Sequence, residues 1–197
     1  PMLSTEEKLA VFQTAKSVAG KLPVLMTIND AGTREAEAMA RAAAKAGADG
    51  LMVVPSMVYH TNPVETVATL NDVANAGGLP VMIYSNRIGY RVDVTPDIME
   101  ELGANPLFVA VKESSDDIRR STDIINRFGD RFDLFTGVDN LAFEALAVGA
   151  VGWVAGLVVA FPKETVAIYR LMRAGRTADR LGLLRSHPDD LERGDRG

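Results

Sequence analysis

The sequence predicts an α/β protein, a partial (β/α)8 barrel of about six βα units, and three observations lead there. Six short apolar runs, 22–28, 50–55, 79–84, 107–112, 132–136 and 150–155, are rich in Val, Ile, Leu or Met and bounded by turn residues, as strands are. Their hydrophobicity is continuous rather than alternating, which implies burial on both faces and therefore a parallel sheet flanked by helices. Helical signals fill the segments between them, so β and α alternate along the chain.

Taken in order, the first element is a helix: Ser4-x-x-Glu7 reads as a capping box opening a helix to about Val18. After the run 22–28, Thr33 precedes an Ala-rich stretch through Lys45, and alanine has the best intrinsic helix propensity; Gly47 supplies the stop. Asn62-Pro63 and Thr95-Pro96 each place a capping side chain before a proline at the first helical position, where its missing N–H costs nothing. Ser114-x-x-Asp117 reads as another capping box, and Phe161-Pro162 opens a last helix to about Arg173, closed by Gly175.

Such alternation fits either an open doubly wound sheet or a barrel. No GxGxxG or GxxxxGK[ST] follows any strand, so the open sheet lacks its usual nucleotide-binding marker. Tyr84, Lys112 and the Thr136-Gly137-Val138-Asp139 turn fall at the C-terminal ends of their strands, the face that carries the active site in a barrel. Closure takes eight strands and six are present, so either the first two βα units are missing or the sheet is open. The reading is a partial TIM barrel over 1–175, holding strands 3 to 8, with exposed sheet edges at 22–28 and 150–155 that favour association. Residues 176–197 carry ten charges and few apolar side chains, which predicts a poorly ordered polar tail.

Composition narrows the chemistry. The 197 residues are 47% hydrophobic and 24% charged, and 26 acidic against 21 basic side chains leave a net charge of -5. That balance argues against a nucleic acid partner. No apolar run is long enough to span a membrane and no signal-peptide pattern opens the chain, which predicts a cytoplasmic protein. With no cysteine, thiolate nucleophiles, disulfides and Cys-ligated metals are excluded; His60 and His187 stand far apart, and no metal site is assigned.

Lys112 ends the run Phe108-Val109-Ala110-Val111-Lys112, and a period of two places Phe108, Ala110 and Lys112 on one face with Val109 and Val111 on the other. The branched pair is expected to face the helices, leaving Lys112 inside the mouth above the small Ala110. A lysine amine becomes a nucleophile toward a carbonyl carbon when burial favours its neutral form, the route to a Schiff base. A strand-end lysine can equally snorkel to solvent or pair with Glu113 or Asp116. Tyr84 closes the preceding strand with the same parity, so a phenol stands beside the amine, suited either to moving protons or to tethering a loop.

These residues resemble the dihydrodipicolinate synthase and N-acetylneuraminate lyase family of class I aldolase-type (β/α)8 enzymes. The resemblance runs from about Leu3 to Gly175 and rests on Pro80-Val81-Met82-Ile83-Tyr84, Val109-Ala110-Val111-Lys112-Glu113-Ser114, Phe135-Thr136-Gly137-Val138-Asp139 and Gly149-Ala150-Val151-Gly152-Trp153-Val154. It implies that Lys112 condenses with the ketone of pyruvate or another 2-oxo acid, that Tyr84 relays protons, and that Gly137 and Val154 line the substrate pocket. Tyr59, in Val54-Pro55-Ser56-Met57-Val58-Tyr59, matches the family's second tyrosine only if two extra residues are allowed. No cofactor is implied, since the protonated imine is itself the electron sink, and a homo-oligomer, dimer or tetramer, is.

Two departures stand out. The family's Gly-Thr-Thr-Gly-Glu motif is absent with its strand, and Ser85-Asn86-Arg87-Ile88-Gly89 replaces the synthases' Asn-x-Pro-x-Arg, putting Gly89 where their arginine receives the second substrate. Arg87 or Arg91 is then the substitute cation. This disfavours dihydrodipicolinate synthesis and leaves aldol cleavage, dehydration or deamination. A catalytically inactive truncated homologue is the competing reading. A pyridoxal phosphate lysine at Lys112, with 149–156 as phosphate cradle, is a third.

Overall fold

Local capping starts the chain as expected. In the computed structural model, which describes residues 3–175 apart from Met57 and Tyr59, Ser4 Oγ accepts from Glu7 N at 3.2 Å and Glu7 accepts from Ser4 N at 2.8 Å. That closed box opens α1 (Thr5–Ala19). The order then runs β1 (Leu25–Ile28), α2 (Thr33–Lys45), β2 (Gly50–Val53), α3 (Pro63–Gly77), β3 (Val81–Ser85), a single turn α4 (Arg87–Tyr90), α5 (Pro96–Gly103), β4 (Phe108–Glu113), α6 (Ile118–Phe128), β5 (Asp133–Thr136), α7 (Ala142–Val148), β6 (Gly152–Trp153) and α8 (Pro162–Arg173). The tail expected at 176–197 lies outside the described residues.

All six strands pair in parallel, in the order of the sequence. An open doubly wound sheet reverses its strand order at a switch point, whereas a barrel wall adds each new strand on the same side. The described residues are therefore a section of a (β/α)8 barrel. One face of the sheet, carrying Ile28, Leu51, Val53, Val81, Ile83, Val111 and Leu134, packs on Met39, Leu70, Val73, Met99, Leu102 and Ile124 in one buried cluster. Exposed Leu25 and Val151 flank the two sheet edges. Among the described residues no helix is long and apolar enough to cross a membrane.

Several local details differ from the sequence reading. The helix α2 opens at Thr33 itself, with Gly32 in the cap position and no side-chain cap. Asp133 and Gly152 open shorter strands than the apolar runs suggest, with Phe132 and Ala150 buried just before them. Ser114-x-x-Asp117 forms no capping box: the chain stays extended through Glu113, turns at Asp116 with φ 61, and α6 starts at Ile118 with Asp117 accepting from Arg119 N at 3.1 Å. Ser114 Oγ is buried without a hydrogen-bond partner.

The expected parity of β4 also breaks. Val81 pairs with Phe108 but Met82 pairs with Ala110, so Val109 is the extra residue of a bulge. Phe108 is consequently buried in the helix-side cluster with Val111, and Val109, expected there, is 39% exposed. From Ala110 onward the alternation holds, and that is the part that aims Lys112.

The helix caps are testable individually. Asn62 Oδ1 accepts from Glu65 N at 2.9 Å and the Glu65 carboxylate accepts from Asn62 N at 3.1 Å, so Asn62→Ala removes the first bond at the start of α3 and leaves the second, which the main chain donates. Urea denaturation is expected to show a loss of about 1 kcal/mol, with Asn62→Asp close to the parent.

Candidate active site

The strand register brings two predicted side chains together. Tyr84 is paired with Lys112 across β3 and β4, and Lys112 with Phe135 across β4 and β5. Parallel neighbours in register project to the same face at the same height, and the Lys112 ammonium accordingly stands 3.8 Å from the centroid of the Tyr84 ring. Lys112 is 9% exposed. Its amine points toward the phenol on the inner side of the wall, not outward among the helices.

Gly137 explains how the lysine stem fits. It follows β5 and its N–H donates to the Glu113 carbonyl at 2.8 Å, holding it directly over β4. A Cβ there would come within 2.5 Å of Lys112 Cε and would run into Ser114 Oγ, so only glycine leaves the path of the amine open. Beside it, Val154 N–H donates to Thr136 O at 2.9 Å. Asp139 fixes the next loop, accepting from Trp153 Nε1 and Gly156 N at 3.1 Å and from Leu157 N at 2.9 Å.

Tyr84 has more partners than the sequence suggests. Asn86 donates to its oxygen at 3.4 Å, and the ring of Tyr90 meets it edge-on, 5.2 Å between centroids and 87° between planes. Burial pushes the Tyr84 phenol up, but the Asn86 amide, the Lys112 charge and the neighbouring Tyr90 outweigh it, and the net shift is downward from the ordinary 10. Tyr90 was not singled out from the sequence because its contact depends on the one-turn helix α4.

Behind the Tyr84 and Lys112 pair, on the helix side, lies the next register pair, Ser85 and Glu113. Glu113 accepts from Ser115 N at 2.5 Å. Its second oxygen and the hydroxyls of Ser85 and Ser115 are buried without a hydrogen bond of ordinary length, though both serines lie close enough to lower the carboxyl's proton affinity. Burial dominates and raises the Glu113 pKa; those hydroxyls, the Ser115 N–H and the Arg120 charge only reduce the rise.

The other candidates are placed as follows. Arg87 is exposed and its Nε donates to the Ser115 carbonyl at 3.4 Å, bridging α4 to the loop after β4. Tyr59 lies outside the described residues. At Gly89, an added Cβ would meet the Asn86 side chain at 3.0 Å, so Asn86 fills the space that a side chain at this position would enter. Among the described residues no group of three or more His, Asp or Glu could hold a metal ion.

A wall of βα units in sequential order, with a lysine and a tyrosine paired at its C-terminal rim, defines a protein of the (β/α)-barrel class. The chain belongs to the dihydrodipicolinate synthetase family, whose model matches residues 1–186, a little past the Gly175 limit of the resemblance read from sequence. It is 33% identical over 182 residues to 4-hydroxy-tetrahydrodipicolinate synthase 1 of Streptomyces coelicolor, covering 90% of this chain and 58% of that protein. The dihydrodipicolinate synthase structure from Aquifex aeolicus superposes with a TM-score of 0.87 at 26% identity, covering 93% of this chain and 63% of that one. A sialic acid aldolase structure from Ruminococcus gnavus superposes at 0.88, covering 92% and 61%, and at 23% identity the likeness is one of fold. The chain thus spans about 60% of the length of these relatives.

Glu113 gives a pH test with a definite sign. A carboxyl whose pKa is raised by folding binds its proton more tightly in the folded state, so its favourable contribution is complete below the unfolded value of about 4.3 and is lost as pH rises through the folded value. Glu113→Gln keeps an acceptor for Ser115 N and cannot ionise. Its Tm advantage over the parent is expected to grow as pH climbs through that window and then level off; parallel Tm curves would contradict the burial argument.

Proposed function

We propose that this chain carries the Schiff-base half-site of a lyase that acts on pyruvate or a related 2-oxo acid. The observation that supports it above all is the Lys112 amine set 3.8 Å from the Tyr84 ring at the paired ends of β3 and β4. The amine adds to the ketone carbon to give a carbinolamine; the C–O bond then breaks, and the hydroxyl leaves as water with a proton delivered by the Tyr84 phenol. The resulting iminium draws electrons from the neighbouring carbon, which serves aldol cleavage or condensation, dehydration or deamination alike.

In this reading Gly137 and Val154 border the bound 2-oxo acid, with Gly137 letting its carboxylate approach the main chain, and Arg87 or Arg91 substitutes for the arginine that the synthases carry in this loop. Tyr59 is assigned a second proton-relay role by resemblance. A homo-oligomeric enzyme in the cytoplasm, with no cofactor, completes the proposal. The synthase names of the curated relatives fit the imine chemistry, while Gly89 in place of the second-substrate arginine favours another branch.

Borohydride reduction in the presence of pyruvate tests the reading. Mass spectrometry is expected to find a covalent adduct on the peptide containing Lys112, absent in Lys112→Ala and formed roughly 10²- to 10⁴-fold more slowly in Tyr84→Phe. No adduct with pyruvate or any longer 2-oxo acid would leave a non-catalytic homologue as the account of this chain.

A further inference from the structure

We propose that Glu113 is a positioning residue for the Schiff-base lysine: by accepting from Ser115 N on the helix side of the sheet, its side chain holds the turn after β4 so that Ser114 stays beside the Lys112 stem and the amine stays beside Tyr84. The inference rests on the Schiff-base reading above and assigns a role to a buried carboxyl that the reaction itself does not use.

Three consecutive residues at the end of β4 tie the rim together. Glu113 accepts twice, its carbonyl from Gly137 N at 2.8 Å and its side chain from Ser115 N at 2.5 Å. Ser114 N donates to the Ser85 carbonyl at 2.8 Å, and the Ser115 carbonyl accepts from Arg87 Nε at 3.4 Å. A period of two puts Lys112 and Ser114 on the inner face and the Glu113 side chain on the other, where Glu113 and its register partner Ser85 are both buried. On the inner face Lys112 Cγ, Lys112 Cε and the Ser114 hydroxyl all crowd the point where a Cβ of Gly137 would stand. The lysine stem therefore lies against Gly137 and beside Ser114, and both neighbours are held through Glu113.

The turn needs such a hold. Asp116 adopts φ 61, a left-handed conformation that a residue with a side chain keeps only where its surroundings over-determine it. A backbone N–H bound to a carboxyl oxygen away from water is a strong tie, and deleting the acceptor leaves a buried donor unpaired. Charge is not required of Glu113. A carboxylate, a protonated carboxyl and a carboxamide all offer Ser115 N an oxygen, so the raised proton affinity that burial gives this group leaves the tie in place.

Two substitutions separate the acceptor from the volume: Glu113→Gln keeps both, and Glu113→Met keeps only the volume. In Glu113→Met the saturating rate of borohydride-trappable adduct formation with pyruvate is expected to fall roughly ten- to a hundredfold. The half-saturating pyruvate concentration is expected to stay within about threefold, because Glu113 does not touch the 2-oxo acid. The Lys112 ε-methylene resonances move toward those of an exposed lysine, and Glu113→Gln restores both rate and resonances. Unchanged rate and resonances in Glu113→Met would overturn the proposal. So would equal slowing in Glu113→Gln, or a raised half-saturating concentration at an unchanged saturating rate. Amide hydrogen exchange needs neither substrate nor the Met variant: Ser115 N–H is expected to be as protected as Ser114 and Gly137 N–H in the parent and in Glu113→Gln, and rapid exchange there removes the tie even if Glu113→Met does not fold. A parent chain that no 2-oxo acid labels defeats the Schiff-base reading. The Lys112 resonances then still decide the positioning role, upheld if they move in Glu113→Met and not in Glu113→Gln, and lost if they move in neither.

Discussion

The parallel register between β3 and β4 is the constraint on which the site depends. It aligns Tyr84 with Lys112 on the inner face and Ser85 with Glu113 directly behind them on the helix side. A slip of one residue would exchange the two pairs between faces, sending the amine into the helix layer and a carboxylate into the mouth. The register is secured by burial: Val81, Ile83, Phe108 and Val111 are all fully withdrawn from water, and a slip would expose them at about 25 cal/mol per Å² of apolar surface. The cation–π contact itself, worth about 0.5–2 kcal/mol, is a consequence of that register rather than its cause.

Burial on both faces of a parallel sheet also gives the sequence its legibility. Continuous apolar runs mark the six strands, and the caps at Ser4, Asn62 and Thr95 are set by neighbours within four residues, so local pattern suffices to place them. Lys112 and Tyr84 were legible for a related reason, since strand ends are visible in sequence and parity carries from one residue to the next. The bulge at Val109 was not, because it exists only relative to the partner strand. Nor was Tyr90, whose approach to Tyr84 requires the α4 turn and the left-handed Arg91 together. Ser114 misled for the opposite reason: its spacing to Asp117 satisfies a capping pattern, but the ladder to Ser85, through Ser114 N to Ser85 O at 2.8 Å, keeps it on the strand.

The rim combines a rigid inner pair with loops that are pinned at single points. Asp139 gathers three donors from the β6 side, Arg87 reaches a carbonyl of the β4 loop, and Asn86 serves both its own turn and Tyr84. Gly137 leaves the lysine stem its path while its amide is tied to β4. The turn from Asn86, the cap of α4, to Tyr90 is the part of this rim that touches Tyr84.

The ring-current effect of Tyr84 on the Lys112 side chain measures the central contact directly. With the amine over the ring face at 3.8 Å, the Lys112 ε-methylene proton resonances are expected well upfield of those of an exposed lysine, returning to ordinary positions in Tyr84→Leu. Ordinary Lys112 shifts in the parent protein, unmoved by that substitution, would contradict the account.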